Sequence, residues 1–190
     1  MPQISRPVET ERLTVRALRE SDQEQLMVIQ SRLDVARYMY WAPRTPEETR
    51  TWLALAIPLP SREVENKAVI LAAVDRPSGR IAGTLTLFVH NQEHRQGEIG
   101  FVFHPDFQGQ GLASEWAREL LRLGFKALQL HRMFGRCDGR NLPSARLMKR
   151  LGMRQAAKPI QNEFVKGERT DEWIYGILAS EWRLREETRT

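Results

Sequence analysis

The chain has one cysteine, Cys137, in 190 residues. It has no partner with which to close an internal bridge, so a disulfide-stapled secreted scaffold is excluded and a reducing compartment is expected. No apolar run approaches the ~20 residues that cross a bilayer, and the opening MPQISRPVETERL lacks the apolar stretch of a secretion signal. A soluble, cytoplasmic protein with no membrane partner is the expectation. Glycine (12) and proline (10) are neither abundant nor clustered, and no repeat, biased segment or linker divides the sequence. One domain spanning 1–190 is therefore expected, since domains commonly run ~100–200 residues. No basic run interleaved with aromatics occurs, which argues against direct nucleic-acid binding. The 29 Lys and Arg still exceed the 24 Asp and Glu, giving a formal charge of +5 and a pI near 9.8. Such a surplus suits phosphate-bearing ligands or an acidic acceptor.

What is present reads as alternating strands and helices. ERLTVRA alternates apolar and polar residues as a half-buried strand does. Ser21 and Glu24 have the spacing of a capping box for a short helix running to about Gln30. Thr45, Pro46 and Glu48 form a second such start, for the helix carrying Trp52 and Leu53. Residues 38 to 43, YMYWAP, are an aromatic loop. KAVILAAV (67 to 74) and RIAGTLTLFV (80 to 89), joined by DRPSG, predict an antiparallel hairpin. GEIGFVFH is a fourth strand, followed by a glycine-containing segment and an amphipathic helix over ASEWARELLRLGFKAL. MFGRCD predicts a fifth strand, and NLPSARLMKRLG a helix closed by Gly152. The tail reads as a strand over about 160 to 166, a turn at Lys166-Gly167, a strand over about 171 to 178 and a terminal helix with Trp182. The class is α+β, with a mixed and mainly antiparallel sheet.

Gln108-Gly109-Gln110-Gly111-Leu112-Ala113 lies where a strand ends and a helix begins. Glycines there allow close backbone approach, and the unpaired amides of a first helical turn attract anions, a diphosphate above all. The phosphate loop G-x-x-x-x-G-K-[ST] is missing, and the glycine pair lacks the third glycine and the parallel context of a dinucleotide fingerprint, so NTPase and Rossmann readings fall.

With Q-x-x-G-x-A at 108 to 113, GEIGFVFHPDF before it and N-x-x-S-x-x-x-x-K-x-x-G some thirty residues later, the chain resembles the GNAT superfamily of acyl-CoA-dependent N-acyltransferases. ETERLTVRAL and EFVKGERTDEWIYGILASEW make it similar to the RimJ/RimL-like branch, the ribosomal-protein N-terminal acetyltransferases. The likeness runs over about 8 to 183. It implies a sheet splayed between its fourth and fifth strands with helices on both faces. It also implies acetyl transfer from acetyl-CoA, the co-substrate, to an amine through a ternary complex with no acyl-enzyme. Pantetheine would bond backbone groups near Val102 and Phe103. The diphosphate would rest on amides of Gly109, Gln110, Gly111, Leu112, Ala113 and Ser114 beside Gln108, held mainly by main chain rather than by a fixed cation.

Attack on a thioester needs a neutral amine, and primary amines are mostly protonated near pH 7. Glu98, ten residues before Gln108 and near where relatives place a catalytic glutamate, is the candidate base; the alternative is a surface carboxylate, with Glu93 and Asp106 as substitutes. Many relatives carry a Tyr seven residues after the helix-starting Asn. Counted from Asn141, that place holds Met148. Ser144 is then the candidate proton donor to the thiolate, as in RimL-like relatives, or simply a local backbone bonder. Asn141 suits cofactor binding or a helix cap. Tyr38, Tyr40 and Trp41 are candidate acceptor contacts, or packing. His90 and His94 complete no metal site, and no metal is expected. His104 and His131 read as structural, and Cys137 as a buried hydrophobe. The resemblance allows a homodimer. The alternative to an enzyme is a non-catalytic acyl-CoA- or ribosome/RNA-binding module on the same fold.

Overall fold

The computed structural model describes residues 7–57, 68–91 and 93–188. In chain order these form β1 (Val8–Glu9), β2 (Leu13–Ala17), α1 (Gln23–Gln30), α2 (Leu33–Ala36), α3 (Pro46–Ala56), β3 (Ala68–Asp75), β4 (Ile81–Asn91) and β5 (Gln96–Phe103). Next come α4 (Leu112–Arg122), β6 (Arg132–Asp138), α5 (Leu142–Arg150), β7 (Arg154–Ala157), β8 (Glu163–Val165), β9 (Glu168–Thr170), β10 (Glu172–Leu178) and α6 (Ala179–Glu187). Eight strands make one sheet in the order β1-β2-β3-β4-β5-β6-β10-β7, and β8 with β9 forms a separate hairpin. Neighbours are antiparallel, except β5 with β6. The expected class, with helices on both faces, is what the structure shows.

Strand alternation sends apolar side chains to both sides of the sheet. On one side Leu13, Leu85, Leu87 and Ile99 meet Trp116, Leu120 and Leu121 of α4, Leu147 and Met148 of α5, and Trp182 of α6. On the other, Ala72 and Ile81 meet Leu26 and Ile29 of α1 and Leu53 of α3. Phe103, at the end of β5, lies 5.4 Å centroid to centroid from Trp116. This contact ties the strand to the helix that comes after it. Truncating a fully buried leucine such as Leu120 would cost ~2–5 kcal/mol.

Local signals fared unequally. At α3 the capping box forms as expected: Glu48 N–H donates to Thr45 Oγ1 at 3.2 Å, and Thr45 N–H to the Glu48 carboxylate at 2.8 Å. The expected Ser21–Glu24 box does not form, because Asp22 is captured first. Its carboxylate accepts both terminal nitrogens of Arg16 at 2.7 Å and the Arg19 N–H at 2.9 Å, drawing 20 to 22 into a 3-10 turn before α1. Lys67, expected to open a strand, lies outside the described residues. The helix after Gly111 is α-helical only to Arg122, and 123 to 127 form a wider π turn. The expected strand over 160 to 166 shortens to β8, while β7 and β9 come as additions. Left-handed Gln161, Lys166 and Gly167 (φ 49°, 51° and 86°) break that stretch into turns.

Candidate active site

Between β5 and α4 the chain makes a short turn, with His104 Nδ1 accepting the Asp106 N–H at 3.1 Å. Gln108 and Gln110 brace the glycine loop leading into α4: their side-chain amides donate to the Phe103 carbonyl at 3.2 Å and the Asp106 carbonyl at 2.8 Å. Gly109 and Gly111 are both left-handed, at φ 76° and 80°, where a β-carbon would strain the backbone. Ser114 and Glu115 N–H donate to the Gly111 carbonyl at 3.0 and 3.1 Å. The amides of 109 to 113 have no acceptor among the described residues. Gly109, Gly111 and Ala113 line a groove of about 950 Å³. The Leu112 side chain is buried in the core, and the Ser114 hydroxyl is buried accepting from Arg150 Nε at 3.2 Å. The groove also holds fixed cations that sequence reasoning left out: Arg12 and Arg150 line it.

The fourth and fifth strands of the sequence reading are β5 and β6. Their parallel pairing lasts three residues, Gln96, Gly97 and Glu98 opposite Arg132, Met133 and Phe134. Past Glu98, β5 keeps β4 as its sheet partner to Phe103, while β6 runs on beside β10. Past Glu98 the edge of β5 facing this gap has no strand partner, which leaves room for an extended ligand, although the Phe103 carbonyl already accepts the Gln108 side-chain amide. A cavity of about 180 Å³ lies in the gap, lined by Ile99, Gly100 and Phe101 of β5 and by Arg136, Cys137 and Asp138 of β6.

Glu98 stands where the strands part. Its Oε1 accepts from Arg136 Nε at 2.9 Å, and its Oε2 lies 2.7 Å from His90 Nε2. Arg136 also donates to Glu172 at 3.0 Å and approaches Glu163 at 3.9 Å. Asn162 holds the second oxygen of Glu172, at 3.0 Å. Asp138 and Asp171 complete the carboxylate lining. Arg140 takes both oxygens of Asp138, holding its carboxyl below the usual range against the effect of burial. The cavity is therefore rich in carboxylates although the whole chain is basic.

Of the other residues picked from sequence, Ser144, Asn141, Tyr38 and Tyr40 line this cavity with Glu98. Asn141 Oδ1 accepts the Ser144 N–H at 3.2 Å, which makes it the N-cap of α5. Burial, then Glu163, push the Tyr40 phenol upward. Trp41 is not among the residues lining this cavity; Arg44 stacks 4.8 Å over its ring and 5.1 Å over that of Trp52. Met148 is buried in the core. Cys137, expected to be buried, is half-buried and lines the cavity, with its thiol pushed up to about 12 by burial and by Asp138 and Glu172. Among the described residues no group of three or more His, Cys, Asp or Glu could hold a metal ion, and no helix is long and apolar enough to cross a membrane. Sequence reasoning missed Arg12, His90, Arg136 and Glu172 as members of these sites. Alternation along β6 and β10 could have placed Arg136 and Glu172 on one face; nothing local signals the other two.

The profile of the Acetyltransferase (GNAT) domain matches residues 12–154. An uncharacterized N-acetyltransferase of Bacillus subtilis (strain 168), YnaD, is 31% identical over 92% of this chain and 98% of its own length. The crystal structure of an acetyltransferase (GNAT family) from Bacillus anthracis, 28% identical, superposes with a TM-score of 0.82 over 92% of this chain and 99% of that one. That of spermidine N-acetyltransferase from Vibrio cholerae in complex with CoA and spermine is similar in fold, with a TM-score of 0.78 at 20% identity over 92% and 99% of the two chains. The chain belongs to the GNAT family of N-acetyltransferases, whose fold uses acetyl-CoA. The donor fits the residues present: orphaned amides between left-handed glycines suit a diphosphate, and an open strand edge suits pantetheine amides.

Proposed function

We propose that the protein acetylates a small cationic amine, held with its ammonium toward the carboxylates of the cavity between β5 and β6. The observation that carries this reading is the local charge: Glu98, Asp138, Glu163, Asp171 and Glu172 line that cavity, with Arg136 the one Lys or Arg among its described lining residues and Asp138 paired from outside by Arg140. Its volume of about 180 Å³ equals roughly six waters at ~30 Å³ each, below the ~300–1,000 Å³ of common ligand pockets. A short amine fits such a space.

Acetyl-CoA supplies the activated acetyl thioester, its diphosphate on the amides of 109 to 113 and its arm along β5 near Val102 and Phe103. Glu98 takes the ammonium proton, directly or through a water, and frees the nitrogen lone pair for attack. A backbone N–H on the open edge of β5 serves the developing oxyanion. Ser144 passes a proton to the departing thiolate and regains one from the second proton that the attacking nitrogen sheds as the tetrahedral intermediate collapses; Asn141 orients it by capping the first turn of α5. A protein N-terminus, the acceptor class of the RimJ/RimL-like branch, is the second reading. It is supported by the terminal segments ETERLTVRAL and EFVKGERTDEWIYGILASEW.

A thiol-release screen tests this. Diamines, polyamines, free amino acids, aminoglycosides and peptides of varied N-terminal residue are offered with acetyl-CoA. Highest kcat/KM for small di- or polyamines is the expected result. Preference for peptides would establish the second reading in place of the first. Tight CoA binding with background thiol release across the panel would overturn both and leave a binding module.

A further inference from the structure

The N-terminal turn E-T-E-R-L borders the groove at the start of α4 and is built tightly. Thr10 N–H donates to the Leu13 carbonyl at 2.8 Å, and Leu13 N–H returns to Thr10 Oγ1 at 3.0 Å. Arg76 donates to the Thr10 carbonyl at 3.0 Å and, from its backbone, to the Arg12 carbonyl at 2.9 Å. What this turn presents is Arg12, and Arg12 reaches across to the start of α4, about a hundred residues away. Its N–H and Nε donate to the two carboxylate oxygens of Glu115 at 3.1 and 2.9 Å, and Nη2 lies 2.8 Å from Oε2. Nη1 donates to the Gln110 carbonyl at 2.9 Å. A β-carbon placed on Gly111 would sit 3.6 Å from Nη2.

These contacts act on the loop in two ways. A trans peptide is planar with its C=O and N–H opposed, so holding the Gln110 carbonyl also fixes where the Gly111 N–H points. That peptide joins Gln110 to the left-handed Gly111, whose missing β-carbon leaves its φ less restricted than that of other residues. Glu115, in the first turn of α4, would oppose an anion bound there. The guanidinium cancels that charge and still has two of its five N–H groups unused among the described residues.

We propose that Arg12 is the positioning residue of the diphosphate loop: it orients the 110–111 peptide, neutralises Glu115 and selects acyl donors that carry a diphosphate. The inference rests on the placement of the CoA diphosphate at this helix start and deepens it.

The test compares two donors, acetyl-CoA and S-acetyl-pantetheine, which lacks the diphosphate and nucleotide. In Arg12→Gln, KM for acetyl-CoA should rise by about tenfold or more, as for loss of a charge-assisted contact, while kcat/KM for S-acetyl-pantetheine stays at the wild-type value. Arg12→Lys, which keeps the charge without the fork, should fall between. Adding Glu115→Gln to Arg12→Gln should recover part of the loss. Equal losses with both donors would make Arg12 merely structural, and no loss with either would remove it altogether; both overturn the proposal. Gly111→Val separates this from the reading beneath it. If a folded Gly111→Val binds CoA as the wild type does, the diphosphate lies elsewhere and both fail. If it abolishes binding while Arg12→Gln changes nothing, the role of Arg12 alone falls.

Discussion

At the scale of single residues, Glu98 and Cys137 share a cavity and are made opposite in character by their neighbours. Glu98 has a cation on one oxygen and an imidazole on the other, at the mouth of the gap between β5 and β6. Glu98→Gln should lower kcat by ~10²–10⁴ and change its pH profile, with KM for acetyl-CoA unaltered; steady-state kinetics with a wild-type pH profile would remove it as base. Cys137 faces Asp138 and Glu172 from a desolvated wall, and its thiol stands near 12 against an ordinary 9.0. A folded value raised above the unfolded one contributes stability below pH 9.0 that is lost as the pH climbs towards 12. Native protein at pH 8 should therefore react with iodoacetamide at least about 100-fold more slowly than urea-unfolded protein, because the thiolate is the reactive form. Comparable rates would contradict the burial of this side chain.

At the scale of elements, short-range signals were legible where no distant group competed for them. Thr45, Pro46 and Glu48 need only each other, and the cap they predict is present with both hydrogen bonds. Thr45→Ala should cost ~1 kcal/mol, read as a lowered midpoint in chemical denaturation with acetyl transfer unchanged; a neutral result would mean that α3 is held by packing alone. The Ser21–Glu24 pair has the same spacing and fails, since Arg16 on the neighbouring strand draws Asp22 away. Asn141 could be read as a cap from its own surroundings and is one. The late segment was harder. The turn read at Lys166-Gly167 is the one that joins β8 to β9, but left-handed Gln161 is not a glycine, and no residue type announced the break that shortens the strand to Glu163. Gln161 is held by its N–H on the Asp171 carboxylate at 2.9 Å, ten residues on.

At the scale of the whole molecule, net charge and site charge have opposite signs. The formal +5 describes a surface whose field is screened beyond ~8 Å at physiological salt. A carboxylate-lined cavity therefore sets its own potential. The expectation of an acidic acceptor, drawn from the sum over the chain, gives way to the proposed cationic acceptor. Sheet order works at the same scale: inserting β10 beside β6 lets β6 continue after it has parted from β5, so the gap stays open without leaving β6 unpaired.

Residue order alone determined the class of fold, the strand-to-helix turn with its two glycines, the caps at Thr45 and Asn141 and the likeness to an acyltransferase family. All of these rest on local dihedral preference, hydrophobic period and ordered motifs. Only the tertiary structure decided where β5 leaves β6, that Glu98 meets Arg136 and His90, that Arg44 stacks on Trp41, and that Arg12 closes on the loop before α4. Those contacts join residues up to about a hundred positions apart. Their geometry is set by strand order and by how the two cores fill, which no local window of sequence contains.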